Sequence, residues 1–130
     1  MPSGQGLVLV MDDDEMVRRV AGSMLVRLGY ESVLTGEGAE ALVSARALVA
    51  EGKPLVAALL DLTVRSGQGG REIVGALREL SPRLAIIACS GYTDDPAMAD
   101  PTRLGFSGSL RKPFLLSELS KVLSDLIAGG

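Results

Sequence analysis

Four short, largely apolar runs, each followed by polar residues, constrain the fold of this chain more than any other feature. The runs cover residues 7–11, 56–60, 84–89 and 108–111. The polar groups that follow are, in the same order, Asp12–Asp14, Asp61, Ser90–Gly91 and Lys112–Pro113. Such runs are typical of strands buried in a parallel sheet. In open α/β sheets the functional crevice lies beyond the carboxyl ends of the strands, so all four polar groups are expected at one edge.

Segments with helical periodicity alternate with these runs. The predicted helices cover residues 15–28, 37–51, 72–80, 94–104 and 116–128, and a further short strand covers 31–34. The segment 94–104 is the weakest: Asp95 can cap it with Pro96 at its first position, but Pro101 breaks it. Five strands alternating with five helices predict one α/β domain over residues 1–130, with a core of about 7–127 and a doubly wound parallel sheet.

The composition narrows the classes of function. A net charge of −3 argues against direct nucleic-acid binding, which favours a basic surface. The chain contains no histidine, which excludes a His-based triad, a His-ligated zinc site and a phosphohistidine on this chain. The single cysteine, Cys89, excludes an internal disulfide and is interpreted as a buried small hydrophobe. We find no signal-peptide pattern and no apolar stretch near the roughly 18 residues that span a bilayer, so a cytoplasmic protein without membrane insertion is expected.

Asp61 stands at the mouth of a strand predicted to be buried. Burying a carboxylate there costs free energy unless a cation or hydrogen bonds compensate its charge, or unless the carboxylate takes part in a reaction. As a nucleophile, an aspartate can take up a phosphoryl group as an acyl phosphate. The alternative is that Asp61 caps the following turn, and the neighbouring polar signals favour the nucleophile.

Asp12, Asp13 and Asp14 are three consecutive like charges. At a partly buried strand end their repulsion is expensive unless a cation offsets it. Mg²⁺ suits such a place, because it takes oxygen ligands and usually binds one or two carboxylates together with a phosphate. Asp12 and Asp13 are therefore predicted metal ligands, whereas Asp14 and Glu15 are more typical of acids at a helix N-terminus.

Lys112 and Ser90 supply the groups that could contact a phosphoryl oxygen. A lysine at a strand end can place its ammonium there as a point charge, and a serine hydroxyl can donate a hydrogen bond. Taken alone, each has an ordinary interpretation as a solvated lysine or a turn-forming serine. Their joint order, after an acidic pair and a lone Asp, favours a site for a divalent cation and a phosphoryl group.

This order resembles that of the receiver domain of two-component response regulators, over about residues 7–127. The resemblance implies a flavodoxin-like (βα)5 fold with strand order 2-1-3-4-5 and helices on both faces. It also implies transfer of a phosphoryl group from a partner phosphohistidine to Asp61, which then switches a protein-interaction face. The implied partners are a histidine kinase or histidine phosphotransfer protein and a downstream protein target or attached kinase domains. Such a domain catalyses its own phosphorylation and the later hydrolysis of the phosphoryl group, without being a conventional turnover enzyme.

The resemblance also assigns roles position by position. Asp12 and Asp13 match the acidic pair that binds Mg²⁺ together with Asp61, the phosphoacceptor. Thr63 matches the position whose backbone carbonyl ligates the metal. Ser90 matches the Ser/Thr switch residue. The remaining matches are Lys112, which contacts the phosphoryl group, and Pro113, which usually follows a cis bond.

Three local features refine the resemblance. The runs 89–92 and 105–108 look most like those of receivers attached to hybrid sensor histidine kinases. Ser109 stands where the family usually has an aromatic residue, so a rotating-aromatic switch does not follow from the resemblance. Val64–Arg65 stand where receivers commonly have Met–Pro, which predicts a looser loop or a local charge contact.

Two other functions have partial support in the sequence. A phosphatase of the haloacid dehalogenase-like type carries a second Asp two residues after its nucleophile, but Thr63 stands there and the chain lacks room for a cap domain. A degenerate receiver used only for protein–protein contact is the second. Phosphotransfer activity distinguishes it from an active receiver.

Overall fold

A five-stranded parallel sheet forms the centre of the molecule. The computed structural model describes residues 5–65, 67–92 and 94–129. The strands are β1 (Leu7–Met11), β2 (Glu31–Thr35), β3 (Leu55–Asp61), β4 (Ala85–Ser90) and β5 (Gly108–Arg111). They lie in the order β2-β1-β3-β4-β5, and all neighbouring pairs are parallel. The predicted doubly wound sheet and its order 2-1-3-4-5 are confirmed.

The helices follow the predicted alternation, with some different boundaries. They are α1 (Glu15–Arg27), α2 (Gly38–Ala50), α3 (Gly70–Leu80), α4 (Pro96–Ala99) and α5 (Leu116–Gly129). The prediction of one helix over 94–104 is corrected: α4 has only four residues, and a separate 3-10 helix covers Pro101–Leu104. Proline has no N–H to continue the α-helical bonding, which explains the break at Pro101. Asp95 does cap α4, since its side chain accepts the Ala97 N–H.

Apolar side chains cover both faces of the sheet. Along β1, Leu9 and Met11 pack against one helical layer, and Val8 and Val10 pack against the other. The first layer includes buried residues of α2 and α3, and the second includes buried residues of α1 and α5. Burial on both faces is the reason that the central strands have continuous apolar sequences. Among the described residues, no helix is long and apolar enough to cross a membrane.

The register brings the polar strand ends to one level. Met11 lies beside Leu60, Asp61 beside Cys89, and Ser90 beside Arg111. The residues at or just after these positions therefore emerge along the same edge of the sheet, as the sequence predicts.

The start of α2 packs very closely against the loop between β3 and α3. The N–H of Gly38 donates to the carbonyl of Gln68 at 2.6 Å. A Cβ on Gly38 would lie 2.7 Å from Cβ of Gln68, 2.7 Å from Cγ2 of Ile73 and 2.8 Å from the Gln68 carbonyl oxygen. This contact leaves no room for a side chain at Gly38, whereas a Cβ on Gly75 in α3 would meet no atom within 4 Å.

We therefore expect opposite effects from two glycine-to-alanine substitutions. Gly38→Ala should lower the free energy of unfolding by about 1–3 kcal/mol, because backbone and side-chain atoms must move. Gly75→Ala should raise it by about 0.5–1 kcal/mol, the helix-propensity difference. Urea unfolding of both variants beside the parent measures the two changes. A Gly38→Ala variant as stable as the parent would contradict the close packing.

Candidate functional site

Three carboxylates gather at the carboxyl edge of the sheet. Asp12 follows β1 and Asp61 ends β3, and each is only 4% exposed. Asp13 is half-buried beside them. One carboxylate oxygen from each residue lies within 4.8 Å of the others. The predicted acidic pair and Asp61 are therefore brought together, and the distance between their oxygens fits a shared cation.

Lys112 places its ammonium among these carboxylates. Its Nζ lies 2.9 Å from Oδ2 of Asp12 and 3.3 Å from Oδ1 of Asp61. Burial lowers the pKa of Lys112, but the hydrogen bond to Asp12 and the charges of Asp61 and Asp12 outweigh it, so the pKa lies above its ordinary value. The side chain is therefore a permanent cation in the site, and the solvated-lysine alternative is wrong.

Asp61 is the acid most affected by its surroundings. Burial, followed by the negative charge of Asp12, raises the pKa of Asp61 to about 6. The Lys112 ammonium and the Thr63 N–H act in the opposite direction without cancelling the rise. The ionised carboxylate is thus held at a free-energy cost, which a nearby cation lowers.

Each of the three carboxylates also accepts a backbone N–H. The donors to Asp12 and Asp61 lie two residues further along the chain. Asp14 N–H donates to Asp12 Oδ1 at 3.0 Å, and Thr63 N–H donates to Asp61 Oδ1 at 3.3 Å. The donor to Asp13 Oδ2 is Arg65, 52 residues away, at 2.9 Å. These bonds orient the acids and satisfy part of their acceptor capacity.

Ser90 lies at the end of β4, beside the acids. It is buried, and its Oγ accepts the N–H of Tyr92 at 2.9 Å. This is a turn contact, as the ordinary interpretation holds, and it leaves the hydroxyl proton as a donor. The N–H of Lys112 donates to the Ser90 carbonyl at 2.8 Å, and the following Lys112–Pro113 bond is cis, as the resemblance implies.

Other predicted positions have structural roles. Asp14 caps α1 by accepting the N–H groups of Met16 and Val17, which confirms its interpretation as a helix N-terminal acid. In β5, Ser109 donates to the carbonyl of Met98 at 3.0 Å and so links the sheet to α4. Cys89 is buried as predicted, and burial raises the pKa of its thiol to about 12.

Sequence analysis missed two contacts that reach the site from residues more distant along the chain. Arg18 donates from its side chain to the carbonyl of Asp12 at 2.8 Å, and the Arg65 N–H reaches Asp13. Arg18 lies one turn after the Asp14 cap, a spacing that could have suggested a side chain reaching back to the strand end. No sequence signal marks the Arg65 contact, because the donor is a backbone group.

A cavity of about 290 Å³ opens over the carboxylates. Its lining includes all six predicted site residues: Asp12, Asp13, Asp61, Thr63, Ser90 and Lys112. The exposed Tyr92 and Arg65 also contribute to its wall. Chemically, this cavity offers carboxylate oxygens to a cation, with an ammonium and a hydroxyl as donors to an anion.

Comparisons with known proteins agree with this geometry. The family model described as the response regulator receiver domain matches residues 8–124. The photosynthetic apparatus regulatory protein RegA of Rhodobacter capsulatus is 31% identical over 98% of this chain. This chain spans 64% of RegA, less than two thirds of its length.

Solved structures show the same fold. The chemotaxis protein CheY4 of Vibrio cholerae is 25% identical, with a TM-score of 0.80 over 95% of this chain and 99% of that one. A response regulator protein from Burkholderia pseudomallei, solved with a phosphorylated aspartic acid and a calcium ion, also has a TM-score of 0.80. It is 22% identical, and the match covers 95% of this chain and 69% of that one.

The raised pKa of Asp61 predicts a pH-dependent effect of removing its charge. A folded-state pKa of about 6, above the ordinary 3.8, means that stability is lost as pH rises through about 6. Asp61→Asn avoids this loss, so without metal it should be more stable than the parent by about 3 kcal/mol at pH 8. Near pH 4 the gain should shrink towards zero. Urea unfolding in EDTA at the two pH values measures it, and an equal gain at both would contradict the assignment.

Proposed function

This chain belongs to the response regulator receiver domain family of two-component signalling, and we propose that Asp61 is its phosphoacceptor. The observation that carries the proposal is the placement of the buried Asp61 carboxylate, beside Asp12 and Asp13 and 3.3 Å from the Lys112 ammonium. The response regulator structure from Burkholderia pseudomallei, in which an aspartic acid is phosphorylated, supports the same chemistry in this fold. The proposed domain comprises residues 1–130, with its core at about 7–127.

Receiver domains generally bind Mg²⁺ at an acidic pocket, and we propose that Asp12, Asp13, Asp61 and the Thr63 carbonyl hold the ion here. The carboxylate oxygens lie close enough to share one cation, and they are hard oxygen ligands of the kind that Mg²⁺ takes. The Lys112 ammonium pairs with two of the three carboxylates, those of Asp12 and Asp61, so the cluster favours additional positive charge. When bound, Mg²⁺ supplies charge neutralisation at the phosphoryl oxygens.

The proposed reaction is transfer from a phosphohistidine of a partner histidine kinase or phosphotransfer protein. The chain has no histidine, so the donor belongs to another molecule or another domain. The P–N bond to the imidazole breaks as a P–O bond forms to Asp61, and the imidazole keeps the electron pair. Lys112 and the Ser90 hydroxyl donate to the phosphoryl oxygens, and catalysis is mainly positioning and charge stabilisation.

The switch that we propose starts from the same contacts. A new dianion on Asp61 attracts the hydroxyl of Ser90 and draws its loop towards the site. That loop leads to α4, which has only four residues and is followed by a 3-10 helix. Ser109 connects β5 to α4 through the Met98 carbonyl. The output is a changed protein-interaction face formed by α4 and β5.

An apolar groove beside the cavity is the proposed contact for the phosphohistidine partner. The groove has a volume of about 360 Å³ and lies between α1 and the residues after β5. Val17 and Lys112 line both the groove and the acidic cavity. Met16 and Val20 on its wall are 67% and 46% exposed. A partner that reaches Asp61 through the cavity can cover these apolar side chains at the same time.

Three further expectations stay predictions. The runs 89–92 and 105–108 favour attachment to a hybrid sensor kinase, and the lack of a signal-peptide pattern in the sequence favours a cytoplasmic location. The net charge of −3 argues against direct contact with nucleic acid.

Phosphorylation by a small donor tests the proposed function. Incubation with Mg²⁺ and phosphoramidate should add one phosphoryl group to the parent and none to Asp61→Asn, because Asp61 is the proposed nucleophile. Intact-mass spectrometry measures both. EDTA should abolish the gain. If neither small donors nor a phosphohistidine donor modify the parent, the degenerate, contact-only receiver is the correct alternative.

The groove predicts that a substitution on its wall changes the rate of phosphorylation by a phosphohistidine partner but not by a small donor. Val20→Asp places a charge on the apolar wall, so transfer from a phosphohistidine partner should slow by at least about tenfold, which corresponds to about 1.4 kcal/mol of lost contact. Phosphorylation by phosphoramidate should be unchanged. Val43→Asp is the matched control, since Val43 is a 66% exposed valine on α2. Equal slowing by both variants, or by neither, would contradict the assigned contact.

A further inference from the structure

The three carboxylates of the site are oriented by donors of different origin. Asp12 and Asp61 receive their N–H groups from residues two positions further along the chain. Asp13 receives the N–H of Arg65 at 2.9 Å, from the loop between β3 and α3. The orientation of Asp13 thus depends on a tertiary contact between two loops.

We propose that the backbone N–H of Arg65 is a positioning group for the cation site and that it acts through Asp13. This inference rests on the proposed function, in which Asp13 is a Mg²⁺ ligand. A carboxylate has about four acceptor positions, so Oδ2 of Asp13 can accept the Arg65 N–H while the group still ligates a cation. Hydrogen bonds to ligating carboxylates fix their orientation and tune metal affinity.

The residue type at position 65 determines whether this bond can form. Receivers commonly have Met–Pro where this chain has Val64–Arg65. Proline carries no backbone N–H. A chain with proline at this position therefore cannot donate a hydrogen bond to the acid at the position of Asp13. The sequence predicts a looser loop or a local charge contact here, and the contact found is made by the backbone N–H of Arg65. The bond is a feature of this chain rather than of the common pattern.

The loop that carries Arg65 is anchored at its far end. The Gln68 carbonyl accepts the N–H of Gly38 at 2.6 Å, and the Gln68 N–H points to the Glu37 carboxylate at 3.5 Å. Glu37 in turn caps α2 by accepting the N–H groups of its first turn. These contacts fix Gln68, three residues after Arg65, against the start of α2.

The side chain and the backbone N–H of Arg65 are expected to have opposite effects on cation binding at the site. The guanidinium belongs to an exposed residue on the cavity wall, where its positive charge opposes the approach of Mg²⁺. The N–H favours binding because it orients a ligand. Arg65→Ala removes the charge and keeps the N–H, whereas Arg65→Pro removes both.

Calorimetric titration of the metal-free full chain with Mg²⁺ separates the two effects. Arg65→Pro should raise the Kd about tenfold, the lower end of the range for an outer hydrogen-bond partner of a metal ligand. Arg65→Ala should bind Mg²⁺ as tightly as the parent or more tightly. Urea unfolding in EDTA checks that both variants are folded. A Kd unchanged in Arg65→Pro, or raised equally in Arg65→Ala, would overturn the proposal.

A backbone ester in place of the amide between Val64 and Arg65 provides a second test. It removes the N–H without the proline ring and keeps the side chain, so it should weaken Mg²⁺ binding as Arg65→Pro does. Binding as tight as the parent's would overturn the proposal even if the proline variant fails to fold. If the parent itself binds no Mg²⁺, the proposed metal site fails together with this inference. If the parent binds it and the ester binds equally well, only the inference fails.

Discussion

The ion pairs of Lys112 join three of the four strands whose ends form the site. Its ammonium contacts carboxylates that follow β1 and end β3, although the lysine itself follows β5. Buried carboxylates are costly without a partner, and here one cation serves both Asp12 and Asp61. The pairing is incomplete, because the pKa of Asp61 remains raised to about 6. Without a metal the site is therefore short of positive charge, and this favours binding a cation.

Much of the fold could be predicted because its central strands are buried on both faces. Continuous apolar runs identified β1, β3 and β4, and the alternation with helices identified the doubly wound sheet. The boundaries that were missed depend on side chains that bond to the backbone. Helix α3 begins at Gly70 instead of residue 72, because the Glu72 carboxylate accepts the N–H of Gly69 at 2.6 Å and organises the first turn. A glycine-rich sequence gives little indication of such a start.

The site could be predicted as far as it depends on residues at strand ends. Asp12, Asp61, Ser90 and Lys112 meet because parallel strands in register end at one edge. Their backbone donors could not be predicted, since every residue except proline has an N–H and the sequence does not tell where it points. The Thr63 carbonyl, assigned to the metal by resemblance, stays a prediction. Its N–H is the group with an identified role, as a donor to Asp61.

The shared wall of the groove and the cavity has a consequence for engineering partner specificity. Val17 and Lys112 face both spaces, so changing either alters recognition and chemistry together. Met16 and Val20 line the groove and not the acidic cavity. A library that seeks an orthogonal signalling pair should therefore vary Met16 and Val20 and keep Val17 and Lys112. Recognition can then diverge between duplicated pathways while the phosphoryl-accepting apparatus is left intact.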